Sequence, residues 1–142
     1  MTEPLKARPV HRNIHVTDII SYRLPPAGIV SILHRISGLL MFLLLPFVLW
    51  LFDTSLSSEV TFDAFRSAFI AGLGPFPAFF VKLVTLALIW GYLHHLTAGL
   101  RHLYMDATHS VTKEFGKSSA IGVLAISVTL TLLLGAKLFG LY

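Results

Sequence analysis

The sequence predicts an all-α, integral membrane fold built on three transmembrane helices. Three observations predict it. Of the 142 residues, 13% are charged and 55% are hydrophobic, which is about half the charge fraction of an ordinary soluble domain. The mean hydropathy of +0.77 implies more apolar surface than a soluble fold of this size can hide. The apolar residues also gather in three blocks, each close to the roughly 20 residues that cross a bilayer core. Such a composition excludes a disordered chain. Cysteine is absent, which excludes disulfides, thiolate zinc sites and Cys-ligated iron–sulfur clusters within this chain. The formal net charge of +4 is carried outside the apolar blocks. That is how membrane proteins place basic residues, and no nucleic-acid partner is expected.

Residues 1–26 form a polar segment with Pro9, Pro25 and Pro26. They hold no short apolar core followed by small residues, so no cleaved signal peptide is expected. The remainder, 27–142, is expected to be the transmembrane domain. Its first helix is expected over about 27–52, where His34 and Arg35 are the charged or ionisable interruptions in the apolar run. Pro46 predicts a kink there, which a membrane helix tolerates better than a soluble one. The second helix is expected over about 77–105, around the uncharged stretch Leu83–Leu100. The third is expected over about 118–141, around Ser118–Ala136. Lys6, Arg8, Arg12 and Arg23 precede the first helix, and Arg101, Lys113 and Lys117 flank the second connection. The first connection, Asp53–Phe76, carries Arg66 against Asp53, Glu59 and Asp63. The positive-inside rule therefore predicts a cytoplasmic N-terminus and an external C-terminus. Lys82 and Lys137 would then snorkel at the outer ends of their helices.

Ionisable residues at bilayer depth cost about 2.5 kcal/mol or more and mark candidate function. The first cluster is Ser31–Gly38, reading SILHRISG. At about 100° per residue, Ser31 and Arg35 lie one turn apart on one side of the helix, with His34 and Gly38 as a similar pair beside them. Arg35 either snorkels to lipid phosphates or shares a polar ligand with Ser31. The second cluster is His94–Asp106, reading HHLTAGLRHLYMD. Here His95, Gly99, His102 and Asp106 form one stripe, while His94, Ala98, Arg101 and Met105 form another about 100° away. A buried imidazole with a glycine one turn on suits a porphyrin, through a nitrogen ligand and a flat gap. A hydrogen-bonded packing histidine fits the same spacing. Neither cluster has metalloprotease spacing, a phosphate loop or a carboxylate pair, so hydrolytic and phosphoryl chemistry find no support.

These pieces resemble the cytochrome b membrane-anchor subunit of succinate dehydrogenase, the larger anchor of respiratory complex II. Arg8-Pro9, SILHRISG and HLTAGLRHLYMD carry the resemblance, together with three helices behind a basic N-terminal segment. The resemblance implies an anchor whose helix bundle is completed by a smaller partner anchor subunit. It implies that His95 is an axial ligand of haem b, the second histidine coming from that partner. Ser31 and Arg35 would line the ubiquinone pocket. His34, Arg35 and His102 would lie near the haem and its propionates, and Asp106 at the cytoplasmic rim. Flavin and iron–sulfur clusters would belong to a flavoprotein and an iron–sulfur subunit. The chain would be a non-flavin subunit of an oxidoreductase complex of the respiratory chain and tricarboxylic acid cycle, seated in a bacterial inner membrane, and would not itself oxidise succinate. In place of the Ser-Pro-His that commonly follows Arg-Pro in this family, Val10-His11-Arg12 follows Pro9, so no contact is assigned to that stretch. Three alternatives stay open on sequence. One is a fumarate reductase anchor. Another is a self-contained cytochrome with His34 and His95 on one iron. The third is a haem-free three-helix scaffold.

Overall fold

The computed structural model describes residues 14–142. Lys6, Arg8, Pro9 and Arg12, on which the sequence reading also draws, lie outside them. Within the described residues six helices follow in order: α1 (Val16–Ser21), α2 (Pro26–Leu43), α3 (Leu45–Leu56), α4 (Glu59–Ile70), α5 (Ala78–Thr108) and α6 (Lys113–Leu138). Among the described residues there are no strands, only an isolated bridge between Leu73 and Phe76. Three helices, α2, α5 and α6, are long and apolar enough to cross a membrane.

Each boundary has a local cause. Pro25 and Pro26 open α2, where the missing N–H of a proline costs nothing and its φ is already helical. The first transmembrane segment is expected as a single kinked helix. In the structure it divides at Leu44, whose φ of −90° and ψ of 5° leave the helical range. Pro46 accounts for this: it has no N–H for the Phe42 carbonyl four residues back, and its ring crowds that oxygen. The chain nearly continues through the break. Leu44 N–H donates to the Leu40 carbonyl at 3.0 Å, and Val48 N–H to the Leu44 carbonyl at 3.0 Å.

The connection from Asp53 to Phe76 contains a helix that hydropathy alone does not disclose. Ser58 caps α4 by accepting from the Thr61 N–H at 3.2 Å. Thr61 Oγ1 answers by accepting from the Ser58 N–H at 2.9 Å. This reciprocal cap satisfies donors that the first turn would otherwise leave free. Ala68 is buried on the inner face of α4, with Phe65 and Phe69 half-buried beside it. The return into α5 is a tight turn. Gly72 has a φ of +108°, and a Cβ there would overlap the Phe76 carbonyl oxygen, so no other residue fits.

The 31 residues of α5, at 1.5 Å each, extend about 46 Å, well beyond a bilayer core of about 30 Å. The helix therefore carries its polar end past the hydrocarbon. It stops at His109, which takes a left-handed φ of 53°. Thr112 then caps α6 by accepting from the Phe115 N–H at 3.2 Å. That start lies five residues before the uncharged block, because Lys113, Glu114 and Lys117 make a normal solvated first turn. At its other end α6 stops at Leu138, short of the expected boundary, and Gly140 follows with a φ of 75°.

Helices α2, α5 and α6 pack on one another, with α5 most extensively on the other two. The tightest core is Val30, Ala98, Ala120 and Val123, flanked by Ala27 and Leu124. Small residues at these contacts let backbones approach, which matters in lipid because apolar side chains gain nothing by leaving one hydrocarbon for another. Large apolar side chains face outward instead: Phe42 is 72% exposed and Leu132 is 68% exposed. On a soluble protein this would be an aggregation hazard. Here it is the lipid-facing surface.

Candidate functional site

The two adjacent histidines of α5 part company. His94 is fully buried. Its Nδ1 lies 3.2 Å from Ser127 Oγ on α6, and its ring stacks on Trp90 at a centroid distance of 5.6 Å. It belongs to the packed seam of α5 and α6. His95 is half-buried and turns toward α2. Its Nδ1 lies 3.1 Å from the His34 carbonyl oxygen and 3.3 Å from Ser37 Oγ. A carbonyl only accepts, so Nδ1 carries the hydrogen and Nε2 keeps the lone pair. The ring rests against Gly38: a Cβ at that position would stand 3.0 Å from His95 Cε1.

His34 lies over His95, with ring centroids 4.1 Å apart and planes tilted by 33°. His102 sits on the other side of His34 at 5.4 Å. Helices α2 and α5 thus interleave three imidazoles, drawn from both sequence clusters. The Nε2 of His34 is buried without a hydrogen-bond partner. It lies 3.9 Å from where a Cβ on Gly99 would be. The glycine expected to serve His95 therefore faces His34, and His95 has its glycine from α2. Among the described residues no three His, Asp or Glu side chains converge in a way that could hold a metal ion. A haem iron, held by its macrocycle, needs an imidazole rather than such a cluster.

That imidazole fits the requirement. The Nδ1–H of His95 has an acceptor, which leaves the Nε2 lone pair free for a ligand. A metal-bound histidine characteristically anchors its other ring nitrogen in this way. His34 and His95 do not fit as two ligands of one iron. Metal–nitrogen bonds of about 2 Å on opposite sides of an ion would separate the rings well beyond their present contact, and no plane fits between them.

The remaining sequence candidates are placed more loosely. Ser31 is half-buried and Arg35 exposed, one turn apart on α2. Asp106 is exposed near the end of α5. One turn beyond Gly38, α2 and α3 open from α5 in an apolar groove of about 540 Å³, lined in part by Met41, Leu45, Val48, Leu88 and Tyr92. Its lining includes none of Ser31, Arg35 or His95.

Residues 5–134 match the family described as succinate dehydrogenase/fumarate reductase transmembrane subunit. The chain belongs to this family. Among its relatives is the succinate dehydrogenase cytochrome b556 subunit of Coxiella burnetii (strain RSA 493 / Nine Mile phase I), 30% identical over 118 residues, or 83% of this chain and 90% of that one. The succinate dehydrogenase cytochrome b556 subunit of Paracoccus denitrificans is 30% identical over 112 residues, covering 79% and 81% respectively. As a transmembrane subunit of this family, the chain is an integral membrane component of a larger complex.

Three features of the site escape the sequence reading. Ser37 and the His34 carbonyl, both on α2, are the partners of His95. The sequence signal for Ser37 is its place in the SILHRISG motif, three residues after His34. Arg101, counted as a loop charge, is instead buried. Its Nε donates to Ser119 Oγ at 2.9 Å and its Nη2 to the Gly116 carbonyl at 3.3 Å, tying α5 to the first turns of α6. Its position on the His94–Ala98 stripe is the signal that could have found it.

Proposed function

We propose that this chain is the cytochrome b anchor of a succinate:quinone oxidoreductase in a bacterial inner membrane, with its N-terminus cytoplasmic. It binds haem b through His95 Nε2, with a second axial histidine from a smaller anchor subunit. An iron–sulfur subunit and a flavoprotein subunit complete the complex and carry out succinate oxidation. The observation that carries the haem assignment is the His95 Nδ1 contact with the His34 carbonyl at 3.1 Å, which leaves Nε2 free to ligate. The cytochrome b556 names of the relatives support it.

Haem held by His95 and a partner histidine would supply a reversible one-electron store rather than an oxygen-binding site. The polypeptide does the rest. His34 offers an unpartnered Nε2, and with Arg35 and His102 it is suited to receive the propionates. Ser31 and Arg35 address ubiquinone. The guanidinium stabilises negative charge as it develops on a quinone carbonyl oxygen, and the hydroxyl hydrogen-bonds the same oxygen. Two electrons and two protons convert the quinone to quinol; the electrons arrive from the iron–sulfur subunit. Asp106, exposed near the end of α5, is assigned to the rim that meets that subunit.

The test is the reduced-minus-oxidised visible spectrum of the assembled complex in membranes. His95→Ala is expected to abolish the low-spin haem signal. An unchanged spectrum in that variant would overturn the assignment.

A further inference from the structure

Ser37 does more than fill space. It is fully buried, and its hydroxyl touches two groups. Ser37 Oγ lies 2.9 Å from the His34 carbonyl oxygen on its own helix. It also lies 3.3 Å from His95 Nδ1 across the helix interface. Serine often bonds a carbonyl three or four residues back, and that alone means little. The second contact is the informative one. A hydroxyl has one hydrogen, and the carbonyl can only accept, so the hydrogen points at His34 and the oxygen lone pairs face His95. The Nδ1–H of His95 therefore meets two acceptors on one side, the carbonyl at 3.1 Å and Ser37 Oγ. Gly38 leaves room for the ring, since a Cβ at that position would stand 3.0 Å from Cε1.

We propose that Ser37 is a positioning residue for the haem ligand: its hydroxyl, braced on the His34 carbonyl, holds the His95 ring in its Nδ1–H form and lowers the reduction potential of the haem bound at Nε2. The proposal rests on the haem assignment to His95. An acceptor on the distal ring nitrogen makes the ligating nitrogen more basic and favours the more positive, oxidised iron. Within a bilayer, no water replaces a lost acceptor, so the effect of removing it is not masked.

The experiment is a redox titration of haem in the assembled complex, followed by its visible spectrum. Ser37→Ala is expected to keep the haem and its low-spin spectrum while shifting the midpoint potential upward. Ser37→Thr, which restores the hydroxyl, is expected to return the potential toward that of the parent. If Ser37→Ala does not assemble, Ser37→Cys keeps the volume with a weak acceptor and carries the same expected upward shift. No shift, or a downward one, in variants that retain haem would overturn the role of Ser37. His95→Ala in the same series separates the two ideas. If it leaves the haem spectrum intact, the haem assignment itself fails and this role fails with it. If it abolishes the spectrum while Ser37→Ala leaves the potential unmoved, only the role of Ser37 is lost.

Discussion

Arg35 and lysine are both long cations, and only one of them forms a planar fork of donors. If Arg35 holds a quinone oxygen together with Ser31, Arg35→Lys and Ser31→Ala should each leave assembly largely intact and slow quinone reduction. Loss of one charge-assisted hydrogen bond costs about 1.5–3 kcal/mol, or about ten- to a hundredfold in rate when the bond acts in the transition state. Succinate oxidation with a water-soluble dye should survive, since the dye takes electrons before the membrane site. The check is both activities in the same membranes; parallel loss would assign these residues to assembly. His94→Ala makes the complementary case. His94 is buried against Ser127 and Trp90, so the haem spectrum should be retained while thermal stability falls, by about 1–3 kcal/mol for a lost buried hydrogen bond. A haem spectrum lost in His94→Ala and kept in His95→Ala would exchange the two roles.

Among the elements, α5 carries most of the consequence, because it faces α2 with His95 and α6 with His94. Ala98 sits in the contact among the three helices and is fully buried. Ala98→Leu should force them apart, at about 1–3 kcal/mol for overpacking, and lower the yield of the haem-loaded complex. Ala98→Gly should be far milder. Detergent-solubilised melting curves together with haem content would measure both effects. Arg101 works at the same scale: its bonds to Ser119 and the Gly116 carbonyl tie α5 to the beginning of α6. Arg101→Ala should leave that carbonyl without this donor and loosen the end of the bundle where the two helices meet, seen as a lower melting temperature with the haem spectrum unchanged.

At the scale of the whole molecule, a shell of exposed apolar side chains surrounds a narrow interior of small apolar residues and a few buried polar ones, Ser37, His94, Arg101 and Ser127 among them. The side of α2 and α5 that carries His34, His95 and His102 is the side we assign to haem and partner. Orientation is the prediction at this scale. The Lys/Arg bias predicts the N-terminus and the α5–α6 connection in the cytoplasm and the C-terminus outside. A reporter that works only outside the cytoplasm should be active when fused after Tyr142. Activity of a cytoplasm-only reporter at that point would reverse the topology.

Composition and periodicity alone establish an all-helical membrane chain, its three apolar spans and the helical stripes that carry Ser31, His34, Arg35, His95 and His102. They establish these because bilayer thickness sets span length and the helical repeat sets which residues share a face. The motif pieces establish the family. Neither level reveals α4, whose charged first turn and modest apolarity resemble a loop until the Ser58–Thr61 cap is seen. Nor does periodicity say which face meets which helix. Whether His94 or His95 faces α2, whether Arg101 is buried or solvated, and which group holds the His95 ring depend on how closely α2, α5 and α6 approach. In lipid that approach is decided by small residues and cross-helix hydrogen bonds. These are pairings between distant positions, and only the assembled helices bring Ser37 and the His34 carbonyl to His95.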